Sequence, residues 1–281
     1  MLFYPQIFGQ SVSGEKPWEL TNTALQNGHG SAVIDTAVYS IRWGHKLAGL
    51  ASPVDHPIVT SAAEGARRRL ARPVQPKEPI SEHMLLEIAE RYNTPSASLL
   101  ALRFLFILLI GYFGLFRINE ILRIRPCDIQ ISDSHLSIFI SSRKNDQHRD
   151  GHTSILARSG KITCPVSITE KIMPSTHKSQ MAPIVRRVVK CKKQERFHEY
   201  AGICYSTALD SMRKFLAPLV QGVNEYATHS MRSGGASNAG FKSADPELKD
   251  RHTGWKNPIT KLRYQKRSTE ESMEITKCMR V

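Results

Sequence analysis

The spacing of apolar and polar residues predicts a chain that is mostly helical, with a few short strands. Apolar residues recur at helical intervals over residues 31–50, 62–70, 81–92, 98–124, 205–220, 232–240 and 246–252. Alternation typical of strands occurs over residues 128–132, 136–142 and 153–157. We therefore expect a mainly α fold with a small antiparallel sheet, an α+β arrangement.

Several helix boundaries follow from individual residues. Ser81 suits the N-cap of its helix, and Ser268 with Glu271 forms a capping box that predicts a final helix. A helix over residues 162–173 requires Pro165 to stand in its first turn, so we keep it as an open alternative. The sequence indicates no element over the basic run at residues 186–196.

A basic, proline-rich stretch at residues 72–79 predicts a linker, because it cannot continue a helix. The boundary near residue 75 gives two domains, residues 1–75 and 76–281. The first thirty residues show little periodicity. The first domain is therefore expected to contain few helices.

The charge balance favours a polyanionic partner. Lys and Arg outnumber Asp and Glu by 39 to 25, which gives a formal net charge of +14. The long apolar run at residues 99–116 contains Arg103, and a charge at mid-membrane costs at least ~2.5 kcal/mol. We expect a buried helix there, no membrane partner and, since no charged region opens the chain, no signal peptide.

The cysteines and histidines predict no metal or cofactor. The five cysteines are dispersed without a Cys-x-x-Cys pair, which is typical of reduced thiols inside a cell. His148 and His152 are four residues apart, but the intervening Gly151 lies in a turn-rich loop that is not helical. A metal site is therefore disfavoured there.

Six residues of the second domain form an ordered set: Arg117, Lys144, His229, Arg232, Trp255 and Tyr264. Residues 228–235 read Thr-His-Ser-Met-Arg-Ser-Gly-Gly, Gly254 and Trp255 follow, and Tyr264 lies nine residues after Trp255. This set resembles the tyrosine recombinase (phage integrase) family, whose C-terminal box reads His-x-x-Arg, Gly-His or Gly-Trp, then Tyr. The Ser-Gly-Gly and Gly-Trp versions look most like recombinases of eukaryotic mobile elements of the DIRS and Crypton kinds.

The residue types suit cleavage of a phosphodiester without a metal. Two guanidinium groups, those of Arg117 and Arg232, can neutralise a pentavalent phosphorane. Glu120 lies three residues after Arg117, where it can hold that guanidinium in place. His229 shares a helix face with Arg232 and would hydrogen-bond the phosphate or accept the tyrosine proton.

The resemblance implies the remaining roles. Tyr264 would be the nucleophile, forming a 3′-phosphotyrosyl bond and a free 5′ hydroxyl. Lys144, on a hairpin loop, would be the general acid, with Arg143 as its rival. Trp255 would donate its indole N–H to a phosphate oxygen and pack under the tyrosine. His252 is a rival for that position, but the nine-residue distance to Tyr264 selects Trp255.

The resemblance further implies a catalytic domain preceded by a truncated helical core-binding (SAM-like) domain that clamps double-stranded DNA. Site-specific recombination or integration would proceed in a synaptic tetramer, in the nucleus. Two alternatives are a catalytically inactive or domesticated DNA-binding protein and a type IB topoisomerase. The predicted DNA-contacting residues are Arg67, Arg68, Arg69, Arg72, Arg143, Arg186, Arg187, Lys190, Lys192 and Lys193. The two basic runs, residues 67–72 and 186–196, could instead be a nuclear localisation signal or a solvated face.

Overall fold

The computed structural model describes residues 30–72, 75–143, 151–176, 179–191, 194–254 and 273. The chain divides into two compact units, Met1–Pro76 and Lys77–Val281. Several predictions concern residues outside this description: Lys144, His148, Lys192, Lys193, the segment from Trp255 to Tyr264, and the capping box at Ser268.

The described part of the first unit is a pair of helices, α1 (Ala32–Leu47) and α2 (Pro57–Leu70). α2 begins five residues before the predicted position, because Pro57 fits the first turn and the His56 ring accepts a hydrogen bond from the Ile58 amide. A small core of Ile34, Ala66 and Leu70 holds the pair together. Both predicted helices are present, whereas the role of this unit as a shortened DNA clamp stays a prediction.

The second unit combines helices with two small antiparallel sheets. Its helices are α3 (Glu82–Tyr92), α4 (Leu99–Phe113), α5 (Ile118–Ile121), α6 (Pro165–Ile172), α7 (Tyr205–Leu216), α8 (His229–Ser237), α9 (Ala239–Ser243) and α10 (Pro246–Thr253). One sheet has the order β1 (Ile129–Ile131), β2 (His135–Ile140), β3 (His152–Ala157), and the other pairs β4 (Arg186–Cys191) with β5 (Gln194–Gly202). This confirms the expected mainly helical α+β fold, including the predicted N-cap at Ser81 and Pro165 in the first turn of α6.

Helix α4 is the centre of the core. Nearly all of its side chains are buried, and it packs against α6 and α8. Even Arg103 is only 4% exposed, and its guanidinium donates to the Arg186 carbonyl at 2.9 Å. The predicted buried helix is confirmed, and none of the described helices has the length and apolar character needed to cross a bilayer.

The prediction of one helix over residues 98–124 is wrong, since the chain breaks between α4 and α5. Gly114 caps the end of α4, and Leu115 follows with a φ of 51°, in the left-handed region that residues other than glycine rarely adopt. A Cβ at Gly114 would meet the Phe116 ring and the Ile110 carbonyl. As a result, Arg117 does not end a long helix but stands at the N-cap of a new one.

Helix α8 reaches α4 at a distance that only glycine permits. A Cβ at Gly234 would meet the carbonyl oxygen of Ile80, and a Cβ at Gly235 would meet that of Tyr112. The Ile80 amide also donates to the Ser230 carbonyl at 2.9 Å. The two glycines of the Ser-Gly-Gly segment therefore set the position of His229 and Arg232 relative to the end of α4.

Candidate functional site

Arg117 is held by Glu120 in two ways. The Arg117 Nη1 atom donates to Glu120 Oε1 at 2.9 Å, and the Arg117 amide donates to Glu120 Oε2 at 2.8 Å. The Glu120 side chain is 6% exposed and that of Arg117 is 21% exposed. The predicted contact is confirmed, and it fixes the direction of a guanidinium that still reaches solvent.

His229 and Arg232 lie on the first turn of α8, three residues apart and on one face, as predicted. His229 is exposed, whereas Arg232 is only 1% exposed. In the low-dielectric surroundings of a buried guanidinium, an interaction with a phosphate oxygen is stronger than in water. The pair thus combines the accessible imidazole of His229 with the buried positive charge of Arg232.

Arg117 and Arg232 both lie near enough to His229 for their charges to affect its titration. Partial removal from water lowers the pKa of His229 below its ordinary value, and the charges of Arg232 and Arg117 lower it further. The imidazole is therefore favoured in its neutral form, which can accept a proton. The fold brings together three of the six predicted catalytic residues, from α5 and α8.

The other three predicted catalytic residues, Lys144, Trp255 and Tyr264, lie outside the described residues, so their roles stay predictions. The described chain leads directly to two of them. Arg143 is the residue before Lys144, and Gly254 is the residue before Trp255. Gly254 adopts a left-handed φ of 64° as the C-cap of α10.

Arg143 was predicted to contact DNA or to rival Lys144 as the general acid, and the structure engages its guanidinium inside the protein. Its Nη1 atom donates to the Thr253 carbonyl at 2.8 Å, and its Nη2 atom lies 3.5 Å from Ser154 Oγ. The guanidinium carbon also lies 5.8 Å from the centre of the Phe116 ring. These contacts show that part of the guanidinium is held within the protein. Because the side chain is only half-buried, its contact with DNA and its role as a rival of Lys144 stay predictions.

Two histidines lie near Arg143, and they differ in their surroundings. His252 Nε2 lies 2.7 Å from the Phe113 carbonyl oxygen, which fastens α10 to the end of α4. Burial, followed by the charge of Arg143, lowers the pKa of His152. Sequence reasoning considered His152 only as a metal ligand and missed its position near Arg143, which the pairing of β2 with β3 provides.

Some residues of the predicted basic surfaces are exposed, whereas others are buried and bonded within the protein. Arg186 is 1% exposed and its guanidinium donates to the carbonyl oxygens of Thr176, Ser179, Ala182, Pro183 and Glu199. Its assignment to the DNA surface is therefore wrong, because a buried charge surrounded by carbonyl acceptors cannot reach a phosphate.

The neighbouring basic residues keep an accessible position. Arg187 and Lys190 are exposed on β4, and Lys192 and Lys193 lie outside the described residues. In the first unit, Arg68, Arg69 and Arg72 are exposed, and Arg67 pairs with Asp35 at 2.7 Å and with Glu64 at 3.3 Å. Their contact with DNA, and the alternative of a nuclear localisation signal, stay predictions.

Within the described part of the chain, no group of three or more His, Cys, Asp and Glu side chains is placed to hold a metal ion. Cys127, Cys164 and Cys204 are free thiols, the state expected for dispersed cysteines. His148, one half of the disfavoured histidine pair, lies outside the described residues.

Comparison with solved structures identifies the fold of this chain. A Tn1549 transposon integrase in complex with transposon right end DNA matches 96% of this chain and 87% of its own, with a TM-score of 0.58 and 9% identity. A lambda integrase dimer bound to a COC′ core site matches over 89% of this chain and 63% of its own, with a TM-score of 0.53 and 13% identity. The XerA recombinase matches over 99% of this chain and 88% of its own, with a TM-score of 0.50 and 14% identity.

These neighbours are tyrosine recombinases and integrases, and the second unit has the fold of their catalytic domain. At the level of sequence, no protein-family model matches the chain and no curated protein shows significant similarity to it.

Proposed function

We propose that this protein is a tyrosine-type DNA recombinase or integrase that breaks and rejoins double-stranded DNA through a 3′-phosphotyrosyl intermediate. The observation that carries the proposal is the convergence of Arg117, His229 and Arg232 on a recombinase catalytic-domain fold. The neighbouring integrases were solved in complex with DNA, and the excess of positive charge suits the same partner here.

In the proposed reaction, Arg117 and Arg232 hold the non-bridging oxygens of the scissile phosphate and stabilise the phosphorane. Neutral His229 hydrogen-bonds the phosphate or takes the proton of Tyr264, which attacks phosphorus. Lys144 gives a proton to the departing 5′ oxygen, and Trp255 donates its indole N–H to a phosphate oxygen. The energy of the phosphodiester is retained in the phosphotyrosyl bond, so the strand can be religated.

The setting is proposed to be a mobile element of the DIRS or Crypton kind, with a synaptic tetramer assembled on DNA. The second candidate is a non-catalytic DNA-binding protein of the same fold, since fold alone does not establish activity. A covalent-adduct experiment discriminates between the two.

The test uses duplex DNA with a nick near the cleavage point, so that the short 5′ fragment diffuses away and the adduct accumulates. Wild-type protein should form a protein–DNA adduct that survives denaturation, requires no divalent metal and maps to the peptide containing Tyr264. The Tyr264→Phe variant should bind the same DNA with unchanged affinity and form no adduct, because it lacks only the attacking oxygen.

An adduct in the Phe variant would assign the nucleophile to another residue. Absence of any wild-type adduct across a library of DNA sequences, with DNA binding intact, would favour the non-catalytic protein.

A further inference from the structure

Arg143 connects three segments that carry predicted catalytic residues. It directly precedes Lys144 in the chain, its Nη1 atom donates to the Thr253 carbonyl at 2.8 Å, and its guanidinium carbon lies 5.8 Å from the ring centre of Phe116. Phe116 directly precedes Arg117, and Thr253 lies two residues before Trp255.

The contact with Thr253 satisfies the C-terminal end of α10. The last carbonyls of a helix lack partners within the helix, and the helix dipole there favours a cation. Arg143 supplies both the donor and the charge. His252 secures the same turn from the other side through the Phe113 carbonyl at 2.7 Å.

Gly254 provides the room for this guanidinium. A Cβ at Gly254 would meet Arg143 Nη1, and the φ of 64° is itself unfavourable for other residues. The glycine of the Gly-Trp pair therefore has two functions: it lets the chain turn out of α10, and it leaves space for Arg143.

We infer that Arg143 is a positioning residue, neither a DNA contact nor the general acid, which fixes the end of α10 and thereby the start of the segment that leads to Trp255 and Tyr264. This inference rests on the proposed function. An arginine suits the role because its planar fork can bond the Thr253 carbonyl, approach Ser154 and lie against an aromatic ring at the same time.

The first experiment separates positioning from acid catalysis by changing the leaving group. The nicked substrate is made with oxygen or with a bridging sulfur at the 5′ leaving position, since a thiolate departs without being protonated. Arg143→Gln should slow adduct formation about 100-fold with both substrates, on the scale of a small misplacement of reacting groups. Lys144→Gln provides the reference for a lost general acid.

Arg143→Lys should recover part of the rate, because lysine can still donate to the Thr253 carbonyl. The matched control is Arg158→Gln, which removes bonds from another arginine to two backbone carbonyls, those of Ser132 and Asp133. It should cleave at the wild-type rate. Rescue of Arg143→Gln by sulfur would make Arg143 the general acid, and a defect that vanishes at saturating DNA would make it a DNA contact; either result overturns the inference.

A second measurement needs no activity. Hydrogen exchange of the peptide spanning residues 246–254 should accelerate in Arg143→Gln and in Gly254→Ala, and stay at the wild-type level in Arg158→Gln. Unchanged exchange in Arg143→Gln would overturn the inference whether or not the wild type cleaves DNA. Accelerated exchange with no wild-type adduct would support the anchoring of α10 by Arg143 and refute the proposed function instead.

Discussion

The two arginines proposed to hold the phosphate differ in what surrounds them. Arg117 is half-buried and braced by Glu120, whereas Arg232 is 1% exposed beneath His229. A bracing carboxylate restricts where the first guanidinium points, and burial restricts the second. In both arrangements a planar guanidinium with fixed donors suits the site better than the flexible ammonium group of a lysine.

Replacement of either arginine by lysine should therefore impair cleavage more than binding. Arg117→Lys and Arg232→Lys keep the charge but lose the fork, so we expect at least ~100-fold slower adduct formation, the scale of losing one transition-state donor. DNA affinity should be largely retained. The nicked-substrate assay measures the first quantity and fluorescence anisotropy the second.

Arg125→Lys is the matched control for Arg117→Lys, because Arg125 bonds Asp128 through its side chain and amide as Arg117 bonds Glu120. It should lose stability without losing cleavage rate. A lysine variant at position 117 or 232 that cleaves like the wild type would remove that residue from the site.

The titration of His229 should report its two cationic neighbours. Partial burial and, after it, the two positive charges disfavour the imidazolium, so the pKa of His229 should lie below the ordinary value of about 6.5. Arg117→Gln removes one of these charges and should raise the pKa. Carbon-13 NMR of labelled histidine in the Tyr264→Phe background follows the titration without cleavage. A wild-type pKa above the ordinary value, or one that Arg117→Gln does not raise, would separate His229 from the arginines.

At the scale of elements, helices with clear periodicity and caps were predictable from the sequence. Ser81 at the start of α3 and Pro246 in the first turn of α10 are local signals, and both elements formed as predicted. The break after α4 was not predictable, because Leu115 adopts a left-handed conformation that its residue type rarely adopts. Gly114 was the one available signal.

The β4–β5 hairpin was missed for a different reason. A charged residue normally marks a solvated position. Arg186 is instead buried among the carbonyl groups of Thr176, Ser179, Ala182 and Pro183, which precede its strand, and of Glu199 on β5. Likewise, the order of the six site residues could be recognised in the sequence, but the contacts of Arg143 with Phe116 and Thr253 join residues that are far apart in the sequence.

Adjacent arginines of β4 should therefore behave in opposite ways on substitution. Arg186→Gln withdraws a charged donor from several buried carbonyls and should lower the free energy of unfolding by roughly 2 kcal/mol or more. Arg187→Gln, on the exposed face, should change stability by less than about 0.5 kcal/mol. Chemical denaturation measures both. Equal destabilisation by the two variants would contradict the buried position of Arg186.

At the scale of the whole molecule, a net charge of +14 accompanies a recombinase catalytic-domain fold, and the described basic residues differ in their surroundings. Some, such as Arg103 and Arg186, stabilise the core through backbone carbonyls. Others, such as Arg187 and Lys190, are exposed on β4, where a polyanion can reach them. Total charge therefore overstates the charge available for DNA.

This division predicts how DNA affinity should depend on salt. Each neutralised phosphate contributes roughly 0.9 to the slope of log K against log salt on duplex DNA, so wild-type protein should show a steep negative slope. Replacing Arg187 and Lys190 together by Gln should flatten it by up to about 2. The control pair Lys161→Gln and Lys171→Gln removes the same charge elsewhere on the surface and should flatten it less. Equal flattening by the two pairs would mean that β4 is no preferred contact, and an affinity independent of salt would argue against nucleic acid as the partner.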